Sequence, residues 1–184
     1  MGMLGQASKY KNDNKNTWSQ EEVNRKLKER FGNQAEVVVD AFKQAYPERP
    51  VADVLYVETM LRAPALKTAR LKADQHGAPV YNYMFAWDTP LEGGVAMSYH
   101  CSELPFVFNN VSAVGGEQAE ILADRMSRAW INFARYGNPN HRDIPDWPVF
   151  TRENGYTMIF GNECLVKKDY DYKLMQLLVP DYAF

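Results

Sequence analysis

The sequence predicts an α/β fold that is rich in helix, with a few strands that read as the edge of a larger sheet. Three observations lead there. Four helical stretches follow one another before any strand is met. An aromatic segment, Val80-Tyr81-Asn82-Tyr83-Met84-Phe85-Ala86-Trp87, then breaks that pattern between Pro79 and Asp88-Thr89-Pro90, which is how a strand announces itself. Only one further strand, the short Tyr156 to Phe160, is expected after it. One clear strand and one short one cannot form a stable sheet unaided, so the chain is expected to be part of a wider fold.

The opening, Met1 to Asn16, is polar and is expected to be a loop. Thr17 or Ser19 can cap a first helix, with Glu21 and Glu22 in its first turn, and Val23, Leu27 and Phe31 follow before Gly32 ends it. Ala35, Val38, Ala41, Phe42 and Ala45 recur at helical spacing until Tyr46-Pro47 stops the second helix. A third is expected from Pro50-Val51-Ala52-Asp53 through Leu55, Val57 and Met60. Pro64 opens a fourth, through Leu66, Ala69 and Ala73, which Gly77 closes. Beyond the aromatic strand, a long helix is expected from about Glu117 to Tyr136, with Ile121, Leu122, Met126, Trp130 and Phe133 as its buried stripe. Gly137-Asn138-Pro139-Asn140 turns the chain, and a closing helix spans Tyr170 to Leu178.

Composition narrows the function classes. Hydrophobic residues make up 46% and charged residues 24% of 184 residues, which is globular. A net charge of −2 gives no electrostatic reason to expect nucleic acid or an anionic membrane as partner. The basic run from Asn24 to Arg30 has acidic neighbours and reads as a solvated helix face. No apolar run approaches the ~20 residues of a membrane helix, and no signal-peptide core is read at the N-terminus; no compartment is assigned. Cys101 and Cys164 match no metal spacing and are too few for a disulfide framework. Two ordinary thiols is the first reading, with pairing to each other or to an outside cysteine as the alternative.

Several kinds of chemistry are unsupported by pattern. No serine sits in the G-x-S-x-G elbow, and Ser98 and Ser102 are better read as local loop hydrogen bonders. Gly93-Gly94 and Gly115-Gly116 match no phosphate loop. The histidines His76, His100 and His141 fall on separate elements with no i, i+4 pair, so no metal site is expected. His76 at a helix end and His141 in a polar turn read as structural. His100 stands apart because it lies in the loop after the strand and before the apolar run Leu104 to Phe108, a position that suits either a packed bystander or a proton-transfer group.

The residues around it carry a resemblance. Ser98-Tyr99-His100-Cys101-Ser102-Glu103-Leu104-Pro105-Phe106-Val107-Phe108 resembles the histidine signature of the type-B carboxylesterases. That family includes cholinesterases, bacterial p-nitrobenzyl esterases and non-catalytic neuroligin-like adhesion proteins. Tyr56 to Ala65 resembles the helical region ahead of the family's histidine strand, and Val80 to Phe85 the strand itself. Trp130-Ile131-Asn132-Phe133-Ala134-Arg135-Tyr136-Gly137-Asn138-Pro139-Asn140 is close to the family's W-x-x-F-A-x-x-G-x-P-N, and Trp147-Pro148 follows in order. The match runs from about Tyr56 to Phe160.

The resemblance implies the C-terminal part of an α/β-hydrolase fold, over residues 1–184, with the catalytic N-terminal portion lying outside the chain. It implies His100 as the catalytic base of a Ser-His-Glu/Asp triad acting on a small-molecule carboxylic ester, and no cofactor or metal. Glu103 matches the family's glutamate beside the histidine and is read as a buried structural carboxylate. Met97, Tyr99 and Phe106 are expected to line the substrate pocket or support the loop. Cys101 stands where the family has glycine or alanine. The expected partner is the N-terminal remainder, which would carry the serine, the oxyanion hole and the acid. Without it the chain is expected to be inactive and prone to self-association through exposed sheet edges. The alternative is a non-catalytic, cholinesterase-like binding module.

Overall fold

The computed structural model describes residues 14–113, 115–169 and 171–180. Most of the expected opening loop therefore lies outside the described residues, as does Tyr170 at the expected start of the closing helix. Six α-helices and three strands are seen among the described residues: α1 (Gln20–Phe31), α2 (Ala35–Ala45), α3 (Arg62–Ala73), β1 (Asn82–Phe85), α4 (Leu104–Val107), α5 (Glu117–Tyr136), β2 (Tyr156–Phe160), β3 (Cys164–Lys168) and α6 (Tyr172–Leu178).

The sheet order is β1-β2-β3. β1 and β2 are parallel, with Met84 beside Ile159 and Phe85 beside Phe160, whereas β2 and β3 form an antiparallel hairpin. Successive strand residues face opposite ways, and two cores result. Met84 joins Val38, Phe42, Val54, Met97, Leu174 and Met175 on one face. Phe85 and Phe160 join Phe106, Leu122, Met126 and Trp147 on the other. Helices therefore cover both faces of the sheet, as an α/β architecture requires.

Local chemistry sets the helix ends. The Ser19 hydroxyl accepts from the Glu22 N–H at 3.2 Å, capping α1. Gly137, left-handed at φ 69°, ends α5 by donating its N–H to the Phe133 carbonyl at 2.8 Å. The Asn140 side chain then pairs with both backbone groups of Trp147, at 2.6 and 2.9 Å. The G-x-P-N motif thus locks the turn after α5 onto the Trp-Pro segment.

Four expectations are corrected. The third helix is a 3-10 helix over Val51–Tyr56 that does not reach Met60. It stops because Glu58 caps the next helix, its carboxylate accepting the N–H groups of Leu61 and Arg62 at 2.9 Å each. α3 consequently begins at Arg62, and Pro64 sits in its first turn, where a missing N–H breaks no helical bond. The buried stripe of α5 is rotated: Ile121 is 38% and Phe133 47% exposed, while Ala119, Ala123 and Ala129 are buried beside Leu122 and Met126. Small residues let α5 lie close to the sheet. Strand β3 was not expected, because Leu165-Val166-Lys167-Lys168 alternates weakly; Gly161-Asn162 between two strand-like runs is the turn signal that marks it.

Candidate active site

After Phe85 the chain leaves the sheet and crosses its end before entering α4. Two buried side chains pin that crossing. Met97 is buried in the core beneath α1, α2 and α6. Phe106 is buried in the other core, with ring centroids 4.9 Å from Phe85 and 5.0 Å from Trp87. Both anchor the loop from below, and neither presents an open surface.

His100 lies between these anchors, exposed, in the turn Tyr99 to Ser102. That turn is closed by the Ser102 N–H and hydroxyl, which both donate to the Tyr99 carbonyl, at 3.1 and 2.6 Å. Tyr99 is partly exposed beside it. Among the described residues the His100 imidazole has no hydrogen-bond partner, so both ring nitrogens are open to groups brought from outside. Both flanking serines are buried; Ser102 makes the local hydrogen bond expected of it, whereas the Ser98 hydroxyl has no hydrogen-bond partner among the described residues, contrary to expectation. His141 bonds the Arg125 carbonyl at 3.0 Å and accepts from the Asp143 N–H at 3.3 Å, a structural role. Both cysteines are thiols, Cys101 exposed and Cys164 buried, and burial pushes the Cys164 thiol above its usual range despite the nearby Arg125.

Glu103 is buried one turn beyond His100. Tyr83 on β1, which in the sequence reads only as a strand residue, is hydrogen-bonded to the Glu103 carboxylate. Burial raises the Tyr83 hydroxyl well above the usual phenol range, and the charge of Glu103 and their hydrogen bond raise it further. Tyr83 therefore stays protonated and donates to the carboxylate, tying the start of α4 to the sheet. The period of β1 was the available signal, since Tyr81, Tyr83 and Phe85 share the face that meets α5. Tyr83 and Glu103 also line an open, mostly apolar groove with Leu104, Phe108, Trp130 and Ile131.

Cys101 holds φ at 68°, a left-handed value that costs a side-chain-bearing residue about 1–2 kcal/mol. Glycine, one of the two residues the resemblance implies at this position, fits that backbone freely. Cys101→Gly is expected to stabilise the chain by up to about 1 kcal/mol, raising the thermal midpoint by about 2–4 °C. An unchanged or lower midpoint would mean that contacts of the thiol offset the strain.

Comparison with known proteins places this geometry. The family model described as the carboxylesterase family matches residues 3–177. A human (Homo sapiens) cocaine esterase is 36% identical over 126 residues, covering 63% of this chain and 21% of that protein. A para-nitrobenzyl esterase of Bacillus subtilis (strain 168) is 34% identical over 119 residues, covering 61% of this chain and 24% of that protein. Among solved structures, an esterase from anaerobic Clostridium hathewayi, described as able to hydrolyse aliphatic aromatic polyesters, superposes with a TM-score of 0.86 at 32% identity. That match covers 98% of this chain and 36% of the other. A PNB esterase structure gives a TM-score of 0.60 at 27% identity over 89% of this chain and 34% of the other. The chain thus spans about a fifth to a third of the length of these relatives, with the helix-covered sheet of their α/β-hydrolase fold, and it belongs to the carboxylesterase family.

Proposed function

We propose that this chain supplies the general base, His100, of a serine carboxylesterase acting on small-molecule carboxylic esters. The observation that carries the reading is an exposed imidazole on a loop pinned by Met97 and Phe106 in two separate cores, within a chain of the carboxylesterase family. A base must be held rigidly and still be reachable, and this loop meets both conditions. In the reaction, an imidazole nitrogen of His100 takes the proton from a serine hydroxyl as that oxygen attacks the ester carbonyl. It then returns the proton to the departing alcohol, and activates water to release the acid from the acyl-serine.

The serine, the oxyanion donors and the acid are supplied by a preceding segment, the N-terminal portion of the α/β-hydrolase domain whose C-terminal part is residues 1–184. Glu103 holds the loop through Tyr83 and does not act as the triad acid. Tyr99 borders the substrate, while Met97 and Phe106 support the loop. What supports a missing neighbour is the sheet: among the described residues the outer edge of β1 pairs with no strand. The groove beside that edge exposes Leu104, Phe108 and Ile131. An unpaired edge beside apolar surface is a site of strand addition or self-association.

The test is hydrolysis of a p-nitrophenyl ester by the chain alone and after co-expression with the preceding segment. Alone, it is expected to associate in light scattering and to show no His100-dependent turnover, because the nucleophile and oxyanion hole supply most of the rate. Turnover by the isolated chain that His100→Ala abolishes would overturn this division of labour. A folded complex without turnover would favour the adhesion-type reading.

A further inference from the structure

We propose that Arg49 and Asp88 are positioning residues for His100: their ion pair fixes the root of the histidine loop, and through it the place of the imidazole. The inference rests on reading His100 as the base.

The pair is built for holding. Asp53 is buried, and two cations, Lys15 and Arg49, meet its carboxylate. Arg49 gives one nitrogen to Asp53 at 2.9 Å and turns the other to both oxygens of Asp88, at 2.9 and 2.8 Å. An exposed ion pair is ordinarily weak because two long side chains must be ordered to make it. Here Asp53 has already ordered the guanidinium, and the turn Tyr46 to Arg49 is closed by a backbone hydrogen bond of 3.1 Å. Asp88 therefore meets a guanidinium already held in place, one nitrogen of which reaches both of its carboxylate oxygens in charge-assisted hydrogen bonds.

What Asp88 roots is the loop to His100. It follows buried Trp87 directly, and Thr89, next in line, is buried as well. The Thr89 N–H donates to the Met97 carbonyl at 3.4 Å, so the excursion between them returns to its starting point. Met97 sits in the core with φ at 49°, and His100 leaves three residues later. Asp88, Thr89 and Met97 form a chain of fixed points from the α2 side of the fold to the imidazole. Asp88 itself is 41% exposed on its side chain, and Arg49 keeps Asp53 when Asp88 is neutralised. Loss of the pair should free the loop without opening the core.

The experiment is NMR of the chain assembled with its preceding segment, with histidine and backbone amides labelled in this chain alone; its three histidines make the ring signals easy to separate. In Asp88→Asn, the His100 and Cys101 amide order parameters are expected to fall from about 0.85 to below about 0.6. The His100 ring signal should sharpen and shift. His141, tied to α5 far along the chain, should stay unchanged, and Asp88→Glu should restore order. Unchanged order at His100 in Asp88→Asn would overturn the proposal, and so would equal loosening at His141 or failure of Asp88→Glu to differ from Asp88→Asn. Loop order is read without any ester, so a failed clamp is distinguishable from a failed esterase reading, which the turnover of His100→Ala decides.

Discussion

In the enzyme assembled with its preceding segment, His100→Ala is expected to lower ester turnover by on the order of 10⁴-fold or more, with KM changed little. The size follows from the role. Without a base the serine hydroxyl stays protonated and attacks poorly, and the leaving alcohol departs without its proton; members of such a triad act as a unit, so losing one forfeits most of their joint effect. A residual rate from binding and the oxyanion donors should survive. The contrast is Glu103→Gln. That change keeps the shape and an acceptor for the Tyr83 hydroxyl, and should cost about 10-fold or less, because Glu103 is buried against Tyr83 and acts through the loop. Equal losses for the two variants would mean that Glu103 takes part in the chemistry. Full turnover in His100→Ala would remove His100 as the base.

Much of this site is legible in the sequence because its signals are local. A histidine between a strand and an apolar run has a recognisable place, and the run His100 to Phe108 is specific enough to carry a family resemblance. The same holds for α1, whose Ser19 cap lies in its first turn, and for the extent of α2 and α5, which end at the local stop signals Tyr46-Pro47 and Gly137. What escaped depends on partners far away in the chain. Tyr83 and Glu103 become a pair only when β1 and α4 are folded together. Arg49 and Asp88 lie 39 residues apart, and Asp88 alone reads as a strand terminator. The rotation of α5 escaped for another reason. Periodicity favours large apolar residues, whereas the helix turns its alanines to the sheet and leaves Ile121 and Phe133 partly exposed. Phe133 still gains an edge-on contact with Tyr81 at 5.9 Å, so an exposed aromatic in that motif marks a seam between β1 and α5.

The largest expected loss of stability lies away from the loop, at the ion cluster that joins α2, α3 and the start of α6. The Tyr46 hydroxyl donates to Asp171 at 2.8 Å and accepts from Arg62 at 3.1 Å, and Arg62 also pairs directly with Asp171. The side chains of Arg62 and Asp171 are only 3% and 9% exposed, and their positions lie 109 residues apart. Burial makes this pair unlike Arg49–Asp88. Asp171→Ala takes from a buried guanidinium the carboxylate that pairs with it directly, and removing one partner of a buried pair costs about 3–5 kcal/mol. For a chain of this length that is a fall of roughly 10 °C in the thermal midpoint, against a degree or two for Asp88→Asn. The loss should be mostly recovered by Arg62→Met together with Asp171→Leu, because two apolar side chains of similar volume need no countercharge. That pair of results separates the penalty of an orphaned charge from the net worth of the ion pair. A single variant that loses less than about 1 kcal/mol would mean that Arg62 turns out to solvent when its partner is gone, and that the junction of α3 and α6 rests on Leu174 and Met175 in the core.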